Sequence, residues 1–203
     1  MTLTLVGDVH DQFDRYFISI EDSEYSLQLG DMSFDYTRLS EIDSNRHKFV
    51  GGNHDNYEIY DNQPHALGKY GMYTLGGIEF FFLRGAFSID YKHRLARGMH
   101  WYPEEELTYQ ELSDAIELYI EKKPQIIFTH DAPIEISEIV GKPEVLRKFG
   151  FERSNSKTQF ALQSMFEAHQ PDLWWFGHFH RRWEDSINGT NFRCLDICEF
   201  DYI

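Results

Sequence analysis

The sequence predicts a layered α/β fold, and three observations carry that reading. Short β-rich apolar runs recur along the chain, several of them ending in Gly, Asp or His. Two well-marked amphipathic helices lie between them. A content of 41% hydrophobic and 16% aromatic residues in a chain of 203 can bury a sizeable core. With no repeat, low-complexity tract or Pro/Gly/Ser linker, residues 1–203 are read as a single domain.

The strands come in order. Leu3–Val6 leads into Gly7-Asp8, Tyr25–Leu29 into Gly30-Asp31, and His47–Val50 into Gly51-Gly52-Asn53-His54. Ile78–Leu83 follows, then Gln125–Phe128 into Thr129-His130, Leu173–Phe176 into Gly177-His178, and Asn191–Ile197. Apolar runs of this length bounded by turn residues read as buried strands, so Phe80-Phe81-Phe82 and Trp174-Trp175 are expected in the core. Thr108-Tyr109-Gln110-Glu111 is a capping-box sequence, and Leu112, Ala115, Ile116 and Tyr119 keep helical spacing until Pro124. Ser156–His169 repeats the pattern through Leu162, Met165 and Phe166 and stops before Pro171. Sheets shielded by helices leave the polar residues in loops just past strand ends, where functional groups of such folds collect.

Composition narrows the function. The 34 acidic against 19 basic residues give a formal charge of −15, which disfavours a protein that coats nucleic acid or anionic membrane, since those partners require a basic footprint. Cys194 and Cys198 form C-L-D-I-C, one residue too long for a redox C-x-x-C, and read as buried thiols of a strand. The opening MTLTLVGDVH lacks the basic region of a signal peptide, and no run approaches the ~18 apolar residues of a membrane helix. The expectation is a soluble, cytoplasmic protein.

Five short segments concentrate acid, histidine and asparagine beside small residues: Gly7-Asp8-Val9-His10, Gly30-Asp31, Gly52-Asn53-His54-Asp55, Thr129-His130 and Gly177-His178-Phe179-His180. Carboxylate and amide oxygens suit hard divalent cations, and imidazole adds Zn, Mn and Fe to the range. Alone, a Gly-Asp at a strand end is usually a turn and a single His a satisfied core residue. Five such segments in order, each after a strand, are not an accident of composition.

In this order the segments resemble the calcineurin-like metallophosphoesterase superfamily, whose motifs run D-x-H, G-D, G-N-H-[DE], [GT]-H and G-H-x-H. The resemblance spans Asp8 to His180. It implies the metallophosphoesterase fold, a two-layer mixed β-sandwich flanked by helices, with a dimetal site in the loops at the strand C-terminal ends. It further implies that Asp8, His10 and His180 hold one metal, that Asn53, His130 and His178 hold the other, and that Asp31 bridges them. The cofactors would be two divalent ions, Mn²⁺ foremost, with Fe, Zn, Ni or Mg as alternatives. His54 would face the substrate as general acid, and Asp55 would orient His54 by a hydrogen bond. The implied reaction is hydrolysis of a phosphomonoester or small phosphodiester such as a nucleotide. Two metals roughly 3.5–4 Å apart clamp the phosphate oxygens and acidify a bridging water, and the hydroxide attacks phosphorus in line.

Departures from the family pattern refine this. The first motif continues to Asp11 where many relatives have glycine, and Phe34 stands where the second Asp of G-D-x-x-D would be. The arginines that mark the protein Ser/Thr phosphatase branch are absent from Phe34-Asp35 and Gly51, so that branch is disfavoured, and the chain looks like a short phage- or bacterial-type member. Substrate grip is then expected from the insert at 84–104, with Arg84, Arg94 and Arg97 on phosphate and Trp101 stacking a ring. A second basic cluster, Arg147, Lys148, Arg153 and Lys157, is read as surface. Of Arg181 and Arg182, one should meet solvent and one a carboxylate. His47, His65, His93, His100 and His169 are unassigned, His93 and His100 being the nearest to exceptions. The expected partner is a small phosphorylated substrate, with no extended nucleic-acid surface, no membrane and no assembly state implied. Alternatives are a nuclease or cyclic-nucleotide phosphodiesterase and, from another class, a catalytically silent scaffold of the same fold that binds a protein.

Overall fold

The computed structural model describes residues 2–151 and 156–203. In chain order the elements are β1 (Leu3–Val6), α1 (Phe13–Ile20), β2 (Tyr25–Gln28), β3 (His47–Phe49), β4 (Tyr70–Leu75), β5 (Ile78–Leu83), α2 (Tyr91–Arg97) and α3 (Tyr109–Lys122). There follow β6 (Ile126–Thr129), α4 (Ile134–Val140), α5 (Pro143–Lys148), α6 (Lys157–Ala168), β7 (Leu173–Phe176), β8 (Trp183–Ile187), β9 (Thr190–Cys194) and β10 (Phe200–Tyr202).

The strands form two mixed sheets, one ordered β10-β1-β2-β3 and the other β4-β5-β6-β7-β9-β8. Within the first, β1, β2 and β3 are parallel; within the second, β5, β6, β7 and β9 are. Side-chain alternation along the strands sorts the apolar residues into layers. Leu3, Leu5, Leu27 and Leu29 of the first sheet meet Phe80, Phe82, Phe128 and Trp175 of the second between the sheets. Phe81, Ile127 and Trp174 point the other way, under Leu112, Tyr119, Leu162 and Phe166 of α3 and α6. Val6 and Phe49 face Phe13, Tyr16 and Ile20 of α1. The result is helices, sheet, sheet and helices, the layered sandwich expected.

Both helix starts read from the sequence are present. Thr108 accepts from Glu111 N–H while Glu111 accepts from Thr108 N–H at 2.8 Å, and Ser156 accepts from Gln159 N–H at 3.1 Å; such caps contribute about 1 kcal/mol each. The strand expected at 191–197 is shorter. It ends at Cys194, and Cys198 sits in a turn with φ 51° rather than on a strand, although both thiols are free and buried. Edge strands β4, β8 and β10 escaped the sequence reading because a strand solvated on one face carries no continuous apolar run. No described helix is long and apolar enough to cross a membrane.

Candidate metal centre

Parallel strands deliver their following loops to one edge. The loops after β1, β2 and β3 therefore meet those after β6 and β7 at one end of the sandwich. Val9 N–H and His10 N–H both donate to Asp31 O, at 3.0 and 2.9 Å, which ties the first motif to the second. His10, Asp11, Asp31, His178 and His180 all have left-handed φ, between 47° and 68°. Non-glycine residues adopt that region at a cost of roughly 1 kcal/mol or more each, and the concentration of such residues here marks a site whose side chains are aimed at the expense of the backbone. Two glycines make room for the carboxylates. A Cβ on Gly177 would stand 2.2 Å from Asp8 Oδ1, and one on Gly52 2.2 Å from Asp31 Oδ1.

One ligand-type atom from each of Asp8, His10, Asp31 and His180 lies within 4.8 Å of all the others. His10 Nε2 and His180 Nε2 face each other at 2.9 Å, and Asp8 Oδ2 lies 3.0 Å from His180 Nε2 and 3.7 Å from His10 Nε2. Despite that proximity Asp8 Oδ2, buried to 0% exposure, accepts no well-formed hydrogen bond. An unsatisfied buried carboxylate oxygen is costly, and beside two convergent imidazole nitrogens it is placed to meet a cation.

A second group adjoins the first through Asp31. His130 Nε2 lies 3.2 Å from Asp31 Oδ1 and 3.1 Å from Asn53 Oδ1, and the His178 ring is 4.9 Å from that of His130, centroid to centroid. His130 Nδ1 donates to Leu29 O at 2.8 Å, fixing the ring so that Nε2 faces the site. Asn53 Nδ2 donates to Ser88 Oγ at 3.0 Å, which turns its carbonyl oxygen inward; Ser88 Oγ in turn donates to Glu105 Oε2 at 2.7 Å. Burial pushes the Glu105 carboxyl up to about 7, against the Ser88 hydrogen bonds. Burial disfavours charge on all the site groups, yet His130, facing Asp31 and Asp8, has its proton affinity raised to about 10. Asp8 and Asp31 are held well below the carboxylate range despite their burial, Asp8 by the facing imidazoles of His10 and His180 and Asp31 by the His130 charge. The field of the two carboxylates thus calls for positive charge.

Four predicted residues behave differently from expectation. The Asp55 carboxylate does not hydrogen-bond the His54 ring. It accepts from the N–H groups of Asp31, Met32, Ser33 and Gly52 at 2.7–3.2 Å and from Tyr36 O–H at 3.0 Å, so it clamps the second motif to the third. Arg84 is 3% exposed and turned away from the centre, paired with Asp61 at 2.8 Å and 4.8 Å from the centroids of both Tyr57 and Tyr60. Trp101 packs against Tyr91, 5.4 Å between centroids, and like the exposed Arg97 lies outside the cleft described below. Arg94 does reach the site. Nearly buried, it pairs with Asp90 at 3.0 Å, and its Nη2 lies against both nitrogens of the His54 ring, 2.6 Å from Nδ1 and closer still to Nε2. Burial, with the Arg94 charge adding to it, pushes His54 down to about 4. Phe34, the departure from G-D-x-x-D, stacks on His100 at 5.0 Å and flanks His54 at 6.2 Å.

Elsewhere, Arg182 meets Glu199 and Asp201 as one of the pair was expected to, whereas Arg181, half-buried, donates to Val140 O at 3.0 Å. Of the second basic cluster, Arg153 lies outside the described residues. The sequence reading missed Ser88 and Glu105, whose spacing carries no signal, and a cleft of about 550 Å³ that opens beside the centre. Its floor includes Asp31, Asn53, His54, His178 and His180, and its walls come from Phe87, Ile89 and the α4–α5 region.

Comparison with known proteins agrees with this fold. The chain superposes on a dimetal phosphatase from Danio rerio with a TM-score of 0.56 at 14% identity, covering 98% of this chain and 88% of that one. A phosphopantetheinyl hydrolase from Mycobacterium tuberculosis gives 0.53 at 12% identity, covering 97% and 90%. A putative 5′-nucleotidase from Staphylococcus aureus, solved with alpha-ketoglutarate, gives 0.50 at 12%, covering 99% of this chain and 50% of that one. Identities this low speak for the shared fold alone. No curated protein matches the chain in sequence. The family model described as Calcineurin-like phosphoesterase does match, over residues 1–182, and on that match the chain belongs to the calcineurin-like phosphoesterase family.

Proposed function

We propose that the protein hydrolyses a small phosphate ester at a pair of divalent ions, one held by Asp8, His10 and His180, the other by Asn53, His130 and His178, with Asp31 shared. The observation that carries this is the junction at Asp31, whose carboxylate faces both groups, Oδ2 at 3.7 Å from His10 Nε2 and Oδ1 at 3.2 Å from His130 Nε2. A donor set of oxygen and imidazole nitrogen without thiolate suits Mn²⁺, with Fe, Zn, Ni and Mg as competitors. The orphaned Asp8 Oδ2 fits such occupancy. Bound there, two divalent ions supply Lewis acidity for the phosphoryl oxygens and for a water.

The chain's own residues do the rest. Leu29 O and Ser88 Oγ fix the His130 ring and the Asn53 amide. His54 N–H donates from the backbone to Asp31 Oδ1 at 2.7 Å, holding the shared carboxylate in line. With the Arg94 guanidinium against both nitrogens of its ring and its pKa pushed down to about 4 by burial, His54 is neutral at pH 7 and carries a single N–H. It then hydrogen-bonds the leaving-group oxygen, while Arg94 supplies the positive charge behind it. The small cleft favours this reading over a processive nuclease, which requires a track of cations. Asp31→Asn and His178→Ala are each expected to lower kcat/KM for an aryl phosphate ester by at least ~10³ at saturating Mn²⁺; unchanged activity in both variants overturns the proposal.

A further inference from the structure

We infer that the substrate is an ester with a single phosphoryl group on an uncharged, ring-bearing alcohol of aryl to nucleoside size, seated in the cleft beside the centre. This rests on the phosphoesterase reading and goes further, to the part of the substrate that is not phosphate.

The cleft holds about 550 Å³, within the size range of small-molecule sites. One wall presents Phe87 and Ile89, the facing one Val145, Leu146 and Phe149, and Phe179 of the last motif lies between wall and floor. Phe87, Phe179 and the end of α4 are braced. The Phe87 ring packs edge-on against Tyr91 and Phe151 at 5.8 and 5.7 Å, and Phe179 packs against Phe176 at 5.8 Å. Arg181 bonds Val140 O at 3.0 Å, anchoring the end of α4 to the segment that carries His178 and His180. An apolar wall fixed to the ligand loops suits a hydrophobic leaving group held in one position relative to phosphorus.

Charge sets the number of phosphates. Among the described residues, the charged ones that line the cleft apart from its floor are Asp90, Glu138 and Lys142. Arg94 is engaged by Asp90 and His54, and Arg84 by Asp61, so among the described residues no arginine lines the cleft. A second phosphoryl group would find a single lysine, set against Glu138 and an Asp90 already paired with Arg94, whereas an uncharged ring meets apolar walls and loses little.

Binding to the Mn²⁺-loaded protein, measured by calorimetry with phosphonates whose P–C bond resists hydrolysis, tests this. From methylphosphonate to benzylphosphonate to naphthylmethylphosphonate, Kd is expected to fall by at least about tenfold. Leu146→Asp should cut that gain to less than about threefold, and Phe87→Ala, in the opposite wall, should reduce it less. Thermal unfolding of both variants checks that they fold. The kcat/KM for a nucleoside monophosphate should exceed that for the diphosphate by about tenfold or more. A flat phosphonate series, a diphosphate used as well as the monophosphate, or a phosphotyrosine peptide bound more tightly than naphthylmethylphosphonate overturns the inference. If the series is flat while Asp31→Asn still abolishes phosphonate binding, the centre stands and only the cleft assignment falls. If no phosphonate binds protein that holds Mn²⁺, both fail.

Discussion

The two halves of the cleft are built in different ways. Its floor is made of residues two to five positions past parallel strands, of which Asp31, His178 and His180 have left-handed backbone, and it is tied together by Asp55, Leu29 O and Ser88. Its walls are made of helix and loop residues, Phe87, Val145, Leu146 and Phe149, that touch the floor mainly through Phe179 and Arg181. The contrast separates chemistry from selection. Strand ends position the polar groups of the floor, and the short helices α4 and α5 supply much of the wall surface.

The comparison breaks most severely at the floor. Gly177→Ala places a methyl 2.2 Å from Asp8 Oδ1, and displacement of that carboxylate by even an ångström should lower kcat/KM by ~10² or more with Mn²⁺ binding weakened in parallel, read by steady-state kinetics and calorimetry. Next come the two arginines of the insert. Arg94→Ala should lower kcat by roughly 10- to 100-fold with little change in KM, since it acts through His54. Arg84→Met should leave both constants unchanged and lower the unfolding free energy by about 1–3 kcal/mol, because Asp61 and the two tyrosine faces lose their cation. Loss of KM in Arg84→Met would return that residue to the substrate.

Smaller effects sharpen the boundary. Ser88→Ala removes the group that turns the Asn53 amide, and the affinity of the more weakly bound ion should fall ~10-fold without loss of fold. Glu105, pushed up to about 7 from an ordinary 4.5, binds its proton more tightly in the folded chain than in the unfolded one. Its contribution to stability is therefore greatest below pH 4.5 and is lost as pH rises through 7. Glu105→Gln should flatten that part of the melting-temperature profile between pH 4.5 and 7, measured by thermal unfolding; an unchanged slope means Glu105 is not its source.

The same division explains what was legible in the sequence. Asp8, Asp31, Asn53, His130 and His178 could be read because each follows an apolar strand and a small residue, a pattern local in the chain. The cap at Thr108 and the splitting of Phe80, Phe81 and Phe82 between two layers are local for the same reason. Arg84 and Arg94 are indistinguishable by composition, and only the fold sends one to Asp61 and the other to His54. Asp55 was placed correctly beside the site and assigned the wrong partner, since four backbone N–H donors leave no trace in side-chain identity. Val145, Leu146 and Phe149 lie among basic residues that drew the reading toward a solvated surface, and their common orientation depends on α4 and α5 packing beside Phe179.

The central claim is that Asp31 joins two ion sites that act as one. Calorimetric titration of metal-stripped protein with Mn²⁺, run beside hydrolysis of an aryl phosphate ester, tests it most directly. Two ions per chain should bind, activity should appear with the second, and Asp31→Asn should lose both high-affinity binding and turnover. Full activity with a single bound ion, or two ions bound as tightly in Asp31→Asn as in the unaltered chain, would contradict it.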